Sequence, residues 1–219
     1  MLWHFFHQKY RSFDGFVPCS AALEEPFRRM SGRGDAEYTV IANYIDVGEI
    51  RTKQARAEDR TEVSPETVNF VALGRLCHQK GYDIMIRLFS RSCQIRDDLR
   101  LYIIGDGPDW EKLEHQAQEE APGKIIFLGA RSNPYAIMDQ MDAFISTSRY
   151  EGQPLNIEEA RAIGLPLYCS KNLEAYSEGL EGLEEEALIQ AIAGARRQPK
   201  QPDTLDDYNR KILESIYML

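Results

Sequence analysis

The sequence has few cysteines and few histidines, and neither residue type forms the complete pattern of a metal site or a disulfide scaffold. Four of its 219 residues are cysteine, and none of the four stands in a CxxC or other ligand pattern: Cys19, Cys77, Cys93 and Cys169. In a chain of this size they predict reduced, buried thiols. His4 and His7 have ligand spacing but no third ligand nearby, so they predict no metal site.

Long apolar segments and an excess of basic residues are also absent. No run approaches the roughly 18–20 apolar residues of a membrane span, and residues 1–6 lack the basic region and cleavage site of a secretory signal. With 26 Lys and Arg against 35 Asp and Glu, the formal charge is −9, which excludes the broad basic surface that nucleic-acid binding requires. We expect a cytoplasmic protein that binds no nucleic acid, with peripheral attachment at the inner face of a membrane as the alternative.

From residue 67 onwards, short apolar runs alternate with amphipathic stretches. The runs lie at 68–73, 99–104, 124–128, 143–147 and 166–169. Each is rich in Ile, Val, Phe or Tyr without strict polar alternation, as is typical of parallel strands covered on both faces. Apolar residues at helical spacing follow in the intervening stretches: Ile84, Leu88 and Phe89 in one, Leu113 and Ala117 in the next. The repeated βα pattern predicts an α/β protein with a doubly wound parallel sheet.

The start and end of the chain predict shorter elements. Residues 13–19 and 38–42 are read as short strands, and residues 203–219 as a terminal helix. Three helix starts are predicted from capping residues: Ser20 before Ala21, Asp46 with Glu49 as a capping box, and Asn133 before Pro134.

The loops after the first two runs carry glycines and cations. In an open parallel sheet, ligands bind beyond the carboxyl ends of the strands, where the strand order reverses. Gly74 allows a tight turn after the first run, and Arg75 and Lys80 place two cations ahead of a helix, which suits a diphosphate. Taken alone, this loop could equally be a solvated basic loop. The segment 105–108 contains a Gly-x-Gly without the third glycine of a dinucleotide fingerprint, so it predicts a tight turn.

The loop after the fourth run contains a carboxylate, and a second follows eight positions later. Glu151 lies in the loop and Glu159 is predicted to lie in the following helix. A 3-2-1-4-5 strand order would bring Arg75, Lys80 and Glu151 to one crevice. Two cations for a diphosphate, one carboxylate for a sugar and one for ribose hydroxyls would form a nucleotide-sugar site. The alternative for Glu158 and Glu159 is a solvated acidic helix face, which one of them is expected to form.

Five segments, in this order, resemble a known family. They are Gly74-Arg75 with Lys80-Gly81, Ile104 to Pro108, Phe127-Leu128-Gly129, Ser148 to Gly152 with Glu159-Ala160, and Gly164-Leu165-Pro166. Over about residues 38–170 the sequence resembles the donor-binding half of a GT-B glycosyltransferase, most similar to the large retaining group called family 4. The resemblance implies a Rossmann-like domain, the C-terminal half of a GT-B fold, preceded by a short remnant of the other half.

The same resemblance implies a role for each matching residue. Arg75 and Lys80 would bind the donor diphosphate and stabilise the leaving group in place of a metal, with no cofactor. Glu151 would face the donor sugar, and Glu159 would bind ribose hydroxyls. Further donor contacts are implied for the glycines Gly74, Gly105 and Gly152, for the segment Gln153, Pro154, Leu155 and Asn156 through its amides, and for the backbone near Arg131, which would meet the base.

The resemblance also implies a division of the chain. Residues 1–37 would be a remnant of the acceptor-side domain and linker, 38–200 the donor-binding domain, and 201–219 a C-terminal helix. A complete GT-B enzyme has two Rossmann domains, and this chain is long enough for about one. We expect self-association or contact with a partner chain through residues 1–37, since Trp3, Phe5, Phe6 and the strand near Phe16 would expose apolar surface and an unpaired edge.

The implied function is transfer of a glycosyl group from a nucleotide-diphosphate sugar to a saccharide or lipid-linked acceptor. The expected setting is cell-surface polysaccharide biosynthesis, such as capsule or lipopolysaccharide, with hexosyl transfer and retention of configuration. This chain would supply the donor-binding part. The alternative is a non-catalytic nucleotide-sugar-binding module or one subunit of a split glycosyltransferase. Residues 170–182 lack the Gly-rich sequence usual there, so the sugar stays open.

Overall fold

A computed structural model describes Tyr10 and residues 13–33, 35–57 and 60–217. The strands are β1 (Gly15–Phe16), β2 (Glu37–Tyr38), β3 (Val68–Leu73), β4 (Leu99–Ile104), β5 (Ile125–Gly129), β6 (Ala143–Ser146) and β7 (Leu167–Cys169). The last five form one sheet in the order β5-β4-β3-β6-β7, and every pair is parallel. This is the 3-2-1-4-5 order that would bring Arg75, Lys80 and Glu151 to one crevice, and it reverses between β3 and β6.

Helices cover both faces of this sheet. The helices of the described residues are α1 (Glu24–Ser31), α2 (Val47–Gln54), α3 (Tyr82–Ile95), α4 (Trp110–Glu120), α5 (Pro134–Met138), α6 (Leu155–Ile163), α7 (Glu185–Gly194) and α8 (Asp206–Tyr217). Helices α2 to α7 supply buried residues to the core on the two faces of the sheet. Short 3-10 turns lie at Ala21–Leu23, His78–Lys80 and Lys171–Tyr176. The predicted doubly wound α/β fold is therefore confirmed.

The core has two layers because successive strand residues point to opposite faces of the sheet. Phe70 and Leu101 pack on one side with α3, α4 and α7, where the predicted helix faces are buried. Val71 and Phe144 pack on the other side with α2, α5 and α6. Burial on both faces explains why these strands read as continuous apolar runs.

The N-terminal segment differs from its prediction. Its two strands are only two residues long, and they pair in parallel, Gly15 with Glu37 and Phe16 with Tyr38. Phe16 is therefore not an exposed edge: it is 8% exposed, and its ring stacks on Tyr38 with 5.1 Å between centroids. The other residues of that prediction, and the two N-terminal histidines, lie outside the described residues: Trp3, Phe5, Phe6, His4 and His7. Self-association stays a prediction.

One of the three predicted helix caps is formed. Asp46 Oδ1 accepts the backbone N–H of Glu49 at 2.8 Å at the start of α2. Ser20 and Asn133 occupy N-cap positions without a capping bond from their side chains. Asn133 Nδ2 donates instead to the carbonyl of Lys53 at 2.8 Å, which ties α5 to α2.

The terminal helix and the thiols also depart from the simplest expectation. The helix begins at Asp206, three residues later than predicted, because Asp203 Oδ1 accepts the N–H of Leu205 in the preceding turn. All four cysteines are free, but Cys169 alone is fully buried and the other three are half-buried. Burial raises the pKa of the Cys169 thiol to about 12 and that of Cys93 to about 11.

Candidate functional site

The candidate site lies where the loops after β3 and β6 meet at the reversal of strand order. Gly81 begins α3 in the left-handed region, with φ of 65°. A Cβ at Gly81 would lie 2.1 Å from the carbonyl oxygen of Thr147. In return, Thr147 Oγ1 donates to the Gly81 carbonyl at 2.9 Å. The two loops are thus in backbone contact, which only glycine permits here.

A second close approach joins the β3 loop to the loop after β4. A Cβ at Gly105 would lie 1.9 Å from the carbonyl oxygen of Gly74. The N–H of Leu76 donates to the carbonyl of Asp106 at 2.9 Å. The Gly-x-Gly segment therefore forms the tight turn expected from the sequence and packs against the backbone of the loop after β3. Ligand contact by Gly74 and Gly105 stays a prediction.

Lys80 and Glu151 form an ion pair across the two loops. Lys80 Nζ lies 2.7 Å from Glu151 Oε1, and the side chains are 20% and 5% exposed. Gln79 Nε2 donates to the carbonyl of Tyr150 at 3.1 Å, which adds a second link. The structure thus brings together the cation and the carboxylate that the sequence placed 71 residues apart.

Arg75 and Arg131, the two other predicted cations, are exposed, and neither has a partner among the described residues. Arg75 shares the loop with Lys80 but forms no hydrogen bond or ion pair with any described residue, Glu151 included. Arg131 follows β5 at the sheet edge and is likewise unpaired among the residues the structure describes. The structure therefore brings Lys80 and Glu151 into direct contact. Arg75 lies in the same loop as Lys80 but forms no hydrogen bond or ion pair with either of them.

Residues 151–156, which lead into the first turn of α6, combine side chains held by hydrogen bonds with amides that have no partner among the described residues. Gln153 Oε1 accepts the N–H of Asn43 at 2.6 Å, and Asn156 Nδ2 donates to the carbonyl of Leu73 at 2.7 Å. Pro154 is buried, and Leu155 is 38% exposed. The amides of residues 151–153 donate no hydrogen bond within the described part of the chain. They can therefore donate to an anion in front of α6.

Two polar side-chain atoms that line a small cavity beside Lys80 are buried and bond to no residue that the structure describes. They are Ser148 Oγ and Asn156 Oδ1, and Lys80, Tyr82 and Ser146 complete the polar lining. Ser148 belongs to a segment that carries the family resemblance, but no role was predicted for its side chain, because a serine near a strand end carries no distinctive signal. Its backbone is fixed by Asn172, whose Nδ2 donates to the Ser148 carbonyl at 2.8 Å.

Arg149 fixes the loop that carries Glu151. Its guanidinium donates to both carboxylate oxygens of Asp83, at 2.7 and 2.6 Å, and to the carbonyl of His78 at 2.8 Å. Asp83 stands in the first turn of α3. The hydrogen bonds from Arg149 hold the pKa of Asp83 below its usual value. This pair was not predicted, because nothing in the local sequence of either residue specifies the other as its partner.

The Arg149–Asp83 pair predicts a pH-dependent stability contribution. Because the folded pKa of Asp83 is lowered, its contribution is present above the unfolded pKa of about 3.9 and is lost as the pH falls through the folded pKa. Asp83→Asn should lower the free energy of unfolding at pH 7 by about 1 kcal/mol. Urea unfolding at pH 7 and pH 3 should show the gap between wild type and variant closing at low pH.

Asp97→Asn is the matched control, since Asp97 pairs with Lys124 but is 93% exposed. It should change stability much less than Asp83→Asn. A gap for Asp83→Asn that widens on acidification would contradict the assignment.

The two glutamates of α6 are both covered, which corrects the expectation of a solvated acidic face. Glu158 is 2% exposed and accepts from Ser177 Oγ at 2.6 Å and from Arg161 Nη1 at 3.1 Å. Glu159 is half-buried and accepts the hydroxyl of Tyr135 at 2.9 Å. Burial raises the pKa of Glu159. The packing of the 177–178 segment and of α5 against α6 covers these side chains.

A doubly wound parallel sheet with a charged crevice at its switch point defines a Rossmann-like domain, here of the GT-B type. The family model of glycosyl transferases group 1 matches residues 54–215. The chain belongs to this family of glycosyltransferases.

Individual relatives support the same assignment. The chain is 31% identical over 131 residues to an uncharacterized glycosyltransferase of Methanocaldococcus jannaschii, covering 58% of this chain and 32% of that protein. It is 28% identical over 207 residues to the glycogen synthase of Mycobacterium tuberculosis, covering 93% and 46%. The lipopolysaccharide 1,6-galactosyltransferase of Escherichia coli is 27% identical over 149 residues, covering 64% and 38%. The chain thus spans between a third and a half of these relatives.

Solved structures share the fold. HepE of Anabaena, in complex with UDP and glucose, superposes with a TM-score of 0.68 at 19% identity, covering 100% of this chain and 69% of that one. TarM of S. aureus, in a complex that includes UDP, gives 0.67 at 16% identity, covering 98% and 43%.

Neither a metal-ligand cluster nor a membrane-spanning helix occurs among the described residues. No three His, Cys, Asp or Glu side chains cluster as metal ligands would within these ranges. None of the helices in the described part of the chain has the length and apolar composition of a membrane span. Independence from metal stays a prediction.

Proposed function

We propose that the loops after β3 and β6 bind the nucleoside diphosphate of a nucleotide-sugar donor, and that this chain supplies the donor-binding part of a glycosyltransferase. The Lys80–Glu151 ion pair carries the proposal, because it places a cation for phosphate and a carboxylate for the sugar within 2.7 Å at the switch point. The complexes of HepE and TarM with UDP support a diphosphate ligand for this fold.

The charged groups between the loops after β3 and β6 explain how a nucleotide-sugar donor would bind. Lys80 and Glu151 neutralise each other, while Arg75 and the amides of residues 151–153 have no hydrogen-bond partner among the residues that the structure describes. The diphosphate would bind Arg75 and these amides and share Lys80, which stabilises the leaving group as its bond to the sugar breaks. Glu151 would then face the sugar and stabilise positive charge at the anomeric carbon.

The wider activity follows from the family. We propose retaining hexosyl transfer to a saccharide or lipid-linked acceptor in cell-surface polysaccharide biosynthesis, supported by the galactosyltransferase relative that acts on lipopolysaccharide. We also propose residues 38–200 as the donor-binding domain, with the C-terminal segment that carries α8 (Asp206–Tyr217) packing onto it. In support, Asn209 of α8 accepts the N–H of Ile45 at 3.1 Å and donates to its carbonyl at 2.9 Å.

A thermal-shift panel of UDP, GDP, ADP, CMP and their sugars tests the proposal. A ligand at 100 times its Kd should raise Tm by about 5 °C or more. Arg75→Ala should reduce this shift, whereas Lys112→Ala, which removes an exposed cation from α4, should not. A cooperative melt that no nucleotide shifts would refute the proposal. Ligand binding without sugar transfer to any acceptor would favour the alternative of a binding module or a split enzyme.

A further inference from the structure

The two carboxylate oxygens of Glu159 have different surroundings. Oε1 accepts the hydroxyl of Tyr135 at 2.9 Å. Oε2 accepts no hydrogen bond from any residue that the structure describes. The side chain is half-buried, so Oε2 is the oxygen left for a ligand. A carboxylate fixed through one oxygen is a pre-oriented acceptor.

Tyr135 is itself held in place from two sides. It lies in the first turn of α5, directly after Pro134 and the N-cap residue Asn133. Asn133 Nδ2 donates to the Lys53 carbonyl at 2.8 Å, and Lys53 Nζ lies 5.8 Å from the centre of the Tyr135 ring. The ring is therefore fixed between α2 and α6. Burial and the neighbouring Glu159 carboxylate raise the pKa of Tyr135, so its hydroxyl remains a donor.

We infer that Tyr135 is a positioning residue, which orients Glu159 so that Oε2 accepts the ribose hydroxyls of a nucleoside diphosphate. The inference rests on the proposed function and on the ribose contact that the family resemblance implies for Glu159. It adds that Tyr135 holds the carboxylate for this contact and thereby strengthens the preference for ribonucleotides over 2′-deoxyribonucleotides. A free carboxylate would lose rotational entropy on binding ribose, whereas one already held by Tyr135 loses less. Arg131, near the predicted base contact, lies in the loop directly before α5, and Tyr135 lies in α5 itself. The predicted base contact and the ribose contact are therefore close together in the sequence.

The test measures affinity for one ribonucleoside diphosphate and for its 2′-deoxy analogue by calorimetry. The nucleotide is the one that binds best in the thermal-shift panel. Wild type should prefer the ribonucleotide about tenfold, as expected for a hydrogen bond to a charged group. Tyr135→Phe should reduce this preference to about threefold or less without lowering Tm by more than about 3 °C.

Tyr168→Phe is the matched control. Tyr168 is a half-buried tyrosine on β7 whose ring packs on Phe70 at 5.2 Å, and its hydroxyl bonds to no described residue. This variant should keep the wild-type preference. Glu159→Gln should lose it, and adding Tyr135→Phe to Glu159→Gln should cause no further loss, because Tyr135 acts through Glu159.

The possible results distinguish a failure of the Tyr135 inference from a failure of the proposed function. An unchanged preference in Tyr135→Phe, or additive losses in the double variant, would overturn the inference while leaving the proposed function intact. If wild type binds neither nucleotide, the proposed function itself fails. Should Tyr135→Phe not fold, the preference is measured in Glu159→Gln alone, and a wild-type ratio there would overturn the inference.

Discussion

Lys80→Ala is expected to weaken nucleoside diphosphate binding by roughly 10- to 100-fold, since a hydrogen bond to a charged group contributes about 1.5–3 kcal/mol. It should also lower the free energy of unfolding by about 2 kcal/mol, because removing one partner of a largely buried pair leaves the other charge uncompensated. The charge left behind is the Glu151 carboxylate, whose side chain is 5% exposed. Calorimetry and urea unfolding measure the two effects separately.

Lys171→Ala serves as the control for Lys80→Ala. Lys171 pairs with Glu174 at 2.8 Å, but these side chains are 53% and 32% exposed, so both binding and stability should change little. Glu151→Gln gives an independent check, because it frees Lys80 for the phosphate while removing the carboxylate proposed to face the sugar. It should retain nucleotide binding and lose transfer. Weaker nucleotide binding in Glu151→Gln than in Lys80→Ala would contradict these roles.

Gly81→Ala is expected to cost about 3 kcal/mol of stability and to separate the two loops of the site. The left-handed backbone of Gly81 costs an L-residue about 1–2 kcal/mol, and the added methyl group would lie 2.1 Å from the Thr147 carbonyl oxygen. Overpacking of this kind costs about 1–3 kcal/mol more. Nucleotide binding should fall as well, because Lys80 precedes the displaced residue. Urea unfolding and calorimetry are the measurements.

Gly123→Ala is the control for Gly81→Ala, because it introduces the same backbone strain without the close contact to another loop. Gly123 has nearly the same φ, 70°, but nothing lies within 4 Å of a Cβ built there. Its substitution should therefore cost only the strain, about 1 kcal/mol. Equal losses of stability in Gly81→Ala and Gly123→Ala would show that the close approach of the two loops contributes nothing.

The sheet could be predicted because local sequence determines it. Strands β3 and β4 begin and end at the predicted residues, and the βα alternation permits few other orders. The Asp46 cap was also predictable, since donor and acceptor are three residues apart. The edge strands shifted by a residue, as β5 does when it ends at Gly129.

The missed features depend on contacts between distant segments. Glu158 looks like a solvated helix residue, and only the arrival of Ser177 covers it. The Tyr135–Glu159 bond requires α5 to pack on α6, and the burial of Phe16 requires a partner strand 22 residues later. Nothing in the local pattern of these residues specifies such partners.

Hydrogen exchange with and without saturating nucleoside diphosphate locates the bound ligand on the chain, and we propose that it binds between the loops after β3 and β6. We expect slower exchange in peptides covering residues 74–81 and 151–156, and unchanged exchange in α7 and α8. Calorimetrically confirmed binding with no protection in these two loops would contradict this proposal.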